Sequence, residues 1–204
     1  MGSVTVDHSK DRDLELWKCN ARSFSDTAPV TGTISSINQL TRGFLEDNRI
    51  SRVIRIKRLK IAYTLCPYTT GTVTALAGDT IAVMIIWDKM GGDQTPVWTS
   101  IFGDNPLSIS NLYPERYQIL HHRLYAMGPF TIAGGALTGG SSHMCYTHAE
   151  SIDMDHTTIF NSSSTGVVGN IKSGTLYWGY CAQEQASTGA YVIRGTATFF
   201  WEDV

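Results

Sequence analysis

The chain has 204 residues, 42% of them hydrophobic and 17% charged, and its formal net charge is −2. That is enough apolar material to bury one sizeable core, so one domain is expected. No window approaches eighteen consecutive apolar residues, which excludes a membrane-spanning helix by hydropathy. The charge is unevenly spread: residues 1–48 carry five bases and seven acids, residues 49–60 six bases and no acid, and residues 61–204 five bases and eleven acids. Gly, Ser and Thr are plentiful, and Val, Ile, Tyr, Phe and Trp come in short runs, which favours an all-β chain. Cys19, Cys66, Cys145 and Cys181 are scattered without a CxxC pair, and no apolar signal sequence precedes them. Four reduced, buried thiols in an intracellular protein are expected.

Residues 1–48 are polar and mixed in charge, with Asp7, Asp11, Asp13 and Glu15 against Lys10, Arg12 and Lys18. They read as an N-terminal arm, partly flexible, that orders by packing on neighbours, ahead of a folded domain over 49–204. The opening Met-Gly-Ser has the form of an expression scar, which would place a natural extension before it. From 49 to 65 apolar residues nearly alternate with bases, the pattern of a half-buried strand. Cys66, Pro67 and Gly71 end it in a loop. Residues 80–88 are almost continuously apolar, as in a strand covered on both faces. Thr95 followed by Pro96 signals a short helix ending at Gly103. Leu107, Ile109 and Leu112 suggest a short strand broken by Pro114.

From 116 to 126 Tyr117, Ile119, His121, Arg123 and Tyr125 alternate with Gln118, Leu120, His122, Leu124 and Ala126. Residues 128–150, with Gly134-Gly135 and Gly139-Gly140, read as a long surface loop. A brief strand over 157–160, a polar loop over 161–174 and strands over 176–182 and 191–201 close the domain. About eight strands with long, uneven loops suit a two-sheet jelly-roll sandwich with a short helix in a loop. Another sandwich type fits the same count.

The basic stretch holds Arg49, Arg52, Arg55, Lys57, Arg58 and Lys60. Two readings stand side by side: a polyanion lies along the strand, or the charges keep an edge strand soluble. In an ideal strand Arg55 and Lys57 share one face while Arg52, Arg58 and Lys60 share the other. The cations therefore divide between partners, with acids such as Asp79 and Asp88 among them, unless the strand bulges near Lys57.

Other chemistry is thinner. His143, Cys145, His148, Asp153, Asp155 and His156 include metal-capable side chains, but their spacing matches no zinc pattern, and Asp153 and Asp155 would at most assist an oxygen-rich calcium site. The rings of His121 and His122 point to opposite faces of a strand and cannot share one ion. Asn161 opens a glycosylation sequon that reads as loop sequence. There is no G-x-S-x-G, phosphate loop or H-E-x-x-H, so neither an enzyme nor a cofactor or metal is expected.

Three words lie in order along the chain: Met84, Ile85, Ile86, Trp87, Asp88, Lys89, Met90 and Gly91; then Ile101, Phe102, Gly103, Asp104, Asn105 and Pro106; then Glu115, Arg116, Tyr117, Gln118, Ile119 and Leu120. Together with Tyr191 to Arg194 and Phe199 to Val204, they resemble the coat proteins of geminiviruses and their genomovirus-like relatives, small circular single-stranded DNA viruses. The likeness covers roughly residues 49–127 and 155–204. It implies a single jelly roll that assembles with copies of itself into an icosahedral shell and packages single-stranded DNA in a virion, with assembly in the host nucleus and no membrane. On that topology Arg49, Arg52, Arg55, Lys57, Arg58 and Lys60 would meet phosphates without reading sequence, with Trp17, Tyr63 or Tyr125 as stacking platforms. A jelly-roll ligand- or carbohydrate-binding module is the alternative. Two departures stand out: the family's N-terminal arm is strongly basic, whereas residues 1–48 are slightly acidic, and residues 128–150 match no family word. Host receptor and vector are not legible.

Overall fold

Alternation of the kind seen from residue 53 onward folds as expected into a strand, and eleven others join it in a computed structural model that describes residues 17–29, 31–45, 47–67, 75–76, 78–92, 94–103, 112–128, 130–133, 136–138, 145–183 and 191–204. In chain order these are β1 (Lys18–Thr27), β2 (Thr33–Ser36), β3 (Val53–Pro67), β4 (Ala75–Leu76), β5 (Asp79–Asp88), β6 (Tyr117–Met127), β7 (Phe130–Ala133), β8 (Ala136–Thr138), β9 (Tyr146–Phe160), β10 (Ile171–Ser173), β11 (Thr175–Ala182) and β12 (Tyr191–Asp203). A helix of one turn and a half, Trp98–Phe102, lies between β5 and β6. It is shorter than the residues from Thr95 onward suggested, because Val97 is extended and the helix begins after it. Among the described residues no helix is long and apolar enough to cross a membrane.

The strands form a five-stranded sheet in the order β1-β12-β3-β9-β10 and a four-stranded sheet in the order β2-β11-β5-β6. All recorded pairings within them are antiparallel. With the short β10 set aside, the eight remaining strands divide between the sheets in the order of a jelly roll: the first, eighth, third and sixth in one, the second, seventh, fourth and fifth in the other. Nine strands therefore build the sandwich where about eight were expected, β10 being the addition. β7 and β8, which with β4 form a separate three-stranded sheet, and the first residues of β9 occupy part of the segment read as one long loop over 128–150. Residues 18–27 and 33–36, inside the segment read as an arm, pair with β12 and β11 in the two sheets.

The core lies between the sheets. Ile54, Ile56, Leu59, Ile61 and Leu65 of β3, with Phe199 of the adjacent β12, face Ile81, Val83, Ile85 and Trp178 of the other sheet, all of them buried. Burial of this apolar area is the main term holding the two sheets together. The second face of the four-stranded sheet is also covered: Trp98, Ile101 and Phe102 of the helix pack on Ala82, Met84 and Ile86 of β5 and on Tyr177 and Cys181 of β11. That double cover is why β5 reads as continuously apolar. A bulge opposite Ile85 and Ile86 interrupts β6, so Tyr117 and Ile119 turn to the helix side whereas His121 and Tyr125 turn to the core. The single face expected for these four residues is thereby split in two.

Two polar devices lock the ends. Asp88, wholly buried, accepts two hydrogen bonds from Arg116, Nε to Oδ1 at 2.9 Å and Nη2 to Oδ2 at 2.8 Å, and a third from the Met90 N–H. Gly174, at φ 74°, turns the chain between β10 and β11, and its carbonyl accepts from buried Asn38 and Thr158. Cys66 and Cys145 form a disulfide that closes a loop with a sequence separation of 79 residues, while Cys19 is exposed and Cys181 buried. The four reduced thiols are thus corrected: the antiparallel register that pairs Leu65 with Tyr146 brings the two preceding and following cysteines together. By loop-closure entropy such a crosslink stabilises the fold by on the order of 4–5 kcal/mol.

Replacing Asp88 with Asn keeps the volume and removes the charge opposite Arg116. The expected cost is about 2–4 kcal/mol, below the full value for a buried pair because Arg116 is partly exposed. Urea unfolding measures it, and a loss under about 0.5 kcal/mol, the range of an ordinary surface change, would contradict the locking role.

Candidate nucleic-acid interface

β3 runs through the middle of the five-stranded sheet, hydrogen-bonded to β12 on one side and β9 on the other. The edge-strand reading of its charges is therefore overturned. Both pairings shift register at Lys57: against β12 it is the one extra residue, since Ile56 and Arg58 pair with the consecutive Trp201 and Phe200, whereas against β9 it lies opposite Met154 and Asp155. A bulge adds one residue to one strand, and here it resets the alternation. Ile54 and Ile56 before it and Leu59, Ile61, Tyr63 and Leu65 after it all face the core. Arg55, Lys57, Arg58 and Lys60 consequently share the outer face, which an unbroken strand could not achieve.

That face is charged but partly compensated. Lys57 Nζ lies 3.1 Å from Glu202 and 3.3 Å from Asp155, Arg58 Nε 2.6 Å from Asp153, and Arg55 Nε 3.6 Å from Asp155. The hydrogen bond to Glu202, ahead of that to Asp155, raises the Lys57 ammonium above its ordinary pKa. Lys60 lies over the Phe200 ring at 5.2 Å, and the Arg58 guanidinium over Trp17 at 6.0 Å. Arg194, exposed and paired in register with Thr64, adds a fifth cation that the sequence reading did not include. Among the described residues the face thus carries Arg55, Lys57, Arg58, Lys60 and Arg194 against Asp153, Asp155 and Glu202. The partners are these three acids and not Asp79 and Asp88, which bind backbone N–H groups and Arg116. Asp153 and Asp155, read from the sequence as at most assisting a calcium site, pair here with Arg58 and with Arg55 and Lys57.

The two remaining bases of the stretch stand apart from the outer row. Arg52 is exposed just before β3. Arg49 is wholly buried: Nε donates to Leu40 O at 3.3 Å, Nη1 to Ser51 O at 2.8 Å and Nη2 to Ser163 O at 2.7 Å, and its guanidinium covers the Phe160 ring at 4.1 Å. Burial, then the nearby Arg42 charge, lowers its pKa. Arg49 ties two loops to the end of β9 and has no donor turned toward the charged face. Of the aromatic platforms, Tyr63 is buried between the sheets, Tyr125 is half-buried beside it, and Trp17 alone lies against the charged row.

A second cluster sits at the open edge of the sandwich, between β6 and β9, the edge strands on this side over residues 146–157. Glu150 Oε2 lies 2.8 Å from His121 Nδ1 and 3.0 Å from His148 Nε2. Tyr63 Oη lies 3.4 Å from His121 Nε2 and 2.7 Å from Tyr125 Oη. Burial depresses the His121 pKa to about 4, the Glu150 charge opposing and those of His148 and Arg123 reinforcing the effect. The hydrogen bond with His148 holds the Glu150 carboxyl below its usual range. Sequence reading singled out His148 but grouped it with its chain neighbours; the register of the two sheets places it instead with His121. His143 lies outside the described residues, Cys145 is in the disulfide, and His156 packs edge-on against Trp87 at 4.7 Å. His121 and His122 do face opposite ways.

Residues 8–199 match the geminivirus coat protein/nuclear export factor BR1 family. No curated protein matches the chain. Among solved structures, the chain is similar to that of Desmodium yellow mottle tymovirus, at 13% identity over 90% of this chain and 87% of that one with a TM-score of 0.27. It is also similar to the infectious bursal disease virus VP2 subviral particle, at 13% identity over 92% of this chain and 42% of that one with a TM-score of 0.17.

Arg49→Met retains length and removes the three donors. Leaving three carbonyls short of partners is expected to cost about 2–4 kcal/mol in urea unfolding, and a cost within about 0.5 kcal/mol would return Arg49 to the surface stripe. His121 predicts a pH dependence. Its folded pKa lies below the ordinary imidazole value, so between about pH 6.5 and 4 the unfolded chain takes up a proton that the folded chain refuses. Stability in metal-free buffer should fall as pH drops through that window, and His121→Gln should flatten the slope. An unchanged slope in the variant would place the dependence elsewhere.

Proposed function

Because the chain belongs to the geminivirus coat protein/nuclear export factor BR1 family, we propose that this capsid protein assembles with copies of itself into a closed icosahedral shell and holds single-stranded DNA on the outer face of its five-stranded sheet. The observation that carries the DNA assignment is the bulge at Lys57. It gathers Arg55, Lys57, Arg58 and Lys60 into one row on a face that no helix covers among the described residues. Phosphates recur along a strand whatever its bases, so a row of cations suits packaging without sequence readout. Arg52 and Arg194 extend the row at either end, whereas buried Arg49 supports the adjoining loops. Trp17, beside Arg58, is the one platform positioned for a base to stack upon. The virion is the protein's place of action, with assembly in the host nucleus before it. Within the shell the role is structural and not enzymatic.

The family joins coat proteins to a nuclear export factor, and assembly separates the two readings. Sedimentation with detection at protein and nucleic-acid wavelengths is the test. A fast, homogeneous particle carrying nucleic acid is expected. A monomer that binds single-stranded DNA without assembling would favour the export branch, and a monomer that binds none would favour a jelly-roll ligand-binding module. Substituting Glu for the exposed Arg52, Arg55 and Lys60 should remove nucleic acid and leave the subunit folded. For four phosphate contacts, log affinity should fall against log salt with a slope of about −3. Packaging by the triple variant, or a slope near zero, would take the row out of the interface.

A further inference from the structure

We propose that His121, His148 and Glu150 form a binding site for a divalent transition metal, zinc by its chemistry, that fastens β6 to β9 across the open edge of the sandwich. The proposal rests on this cluster alone and is independent of DNA packaging.

The donor atoms converge: one from each of the three side chains, all within 4.8 Å of one another. His121 Nδ1 and His148 Nε2 lie 2.8 and 3.0 Å from the same Glu150 oxygen. Zinc takes such donors at about 2.0–2.2 Å in a tetrahedron, which sets neighbouring donors about 3.3 Å apart. The two imidazole–carboxylate separations therefore need to open by only a few tenths of an ångström to admit the ion, while the imidazole–imidazole separation, within 4.8 Å, closes toward the same value. Two imidazoles and one carboxylate form a donor set suited to zinc and its transition-metal neighbours, whereas calcium and magnesium require oxygen shells.

The surroundings fit a ligand set. Metal-binding imidazoles generally have their second nitrogen fixed by a partner, and Tyr63 Oη stands at His121 Nε2 with Tyr125 Oη behind it. With the proton on Nε2, Nδ1 offers its lone pair toward Glu150. His121 is almost wholly enclosed, yet Glu150 has 36% of its side chain exposed, which leaves an entry and room for a water as fourth ligand. Among the described residues the recorded ion-pair partners of Glu150 are the two imidazoles, so an entering cation would neutralise its charge without displacing Lys or Arg. The ion would join strands that no backbone ladder connects, at the end of the sandwich where Cys66 and Cys145 are bonded.

The test uses the full chain, freed of metal by a chelator, dialysed, and titrated with zinc ion by calorimetry and with cobalt ion by visible absorption. One equivalent per chain, tetrahedral cobalt bands and a higher unfolding temperature with zinc are expected. Glu150→Gln and His148→Gln should each weaken zinc binding by more than the about 10–100-fold typical of losing an outer partner. Asp155→Asn, remote from the cluster, should bind as the parent does. Absence of stoichiometric uptake, or uptake unchanged in both cluster variants, overturns the site. If either variant fails to fold, the imidazole resonances of the parent decide: zinc-induced shifts at His121 and His148 uphold the proposal, and shifts elsewhere refute it.

Discussion

One extra residue in the third strand governs how the charged surface is arranged. β3 must bury Ile54 and Ile56 before the bulge and Leu59, Ile61, Tyr63 and Leu65 after it, and strict alternation cannot satisfy both sets. Passing over Lys57 resolves the conflict in favour of the core. The energetic reason is plain: a slip of register would drive several aliphatic side chains into water and several cations between the sheets, and the latter is far the costlier. The cations are aligned because the core demanded its own alignment. A row of charge that looks designed for a ligand is in the first place a by-product of hydrophobic register.

The two sheets divide the labour. The four-stranded sheet is covered twice, by the sandwich core and by Trp98, Ile101 and Phe102; β11 is buried throughout and β5 at every position but Thr80. The five-stranded sheet presents one face to solvent, and its chemistry is displayed there. Locks at the ends, Asp88 with Arg116 and Asn38 with Thr158 and Gly174, fix the turns between strands with hydrogen bonds anchored on the buried Asp88 and Asn38.

Legibility followed the hydrophobic signal. β3, β5, β11 and β12 bury at least one complete face, so their periods were visible in the chain. β9 showed only its last four residues, because its inward positions from 146 to 150 are Tyr, His and Glu, gathered at an open edge where apolar side chains are not required. β1 and β2 were absorbed into an apparent arm for a similar reason: β1 is an edge strand whose chief core contact is Phe24 stacked on Trp178. The charged stretch was plain, and the bulge was one of two ways to reconcile it with a strand. The burial of Arg49 was not, since its carbonyl partners lie 9, 2 and 114 residues away. Nor was the meeting of His121 with His148 and Glu150, which depends on how two sheets are stacked and on nothing local.

The carboxylates interleaved with the outer cations give the face an uncommon property. Asp153 and Asp155 are largely exposed and tethered by their own strand, so they serve as resident counterions. An empty subunit suffers little self-repulsion along the row. A phosphate that arrives in the proposed contact exchanges with a carboxylate instead of landing on bare charge, and the displaced group remains a bond rotation away. Such a surface behaves as a reversible ion exchanger: it holds a polyanion by many weak swaps, and each cation released by a departing phosphate finds a carboxylate already at hand.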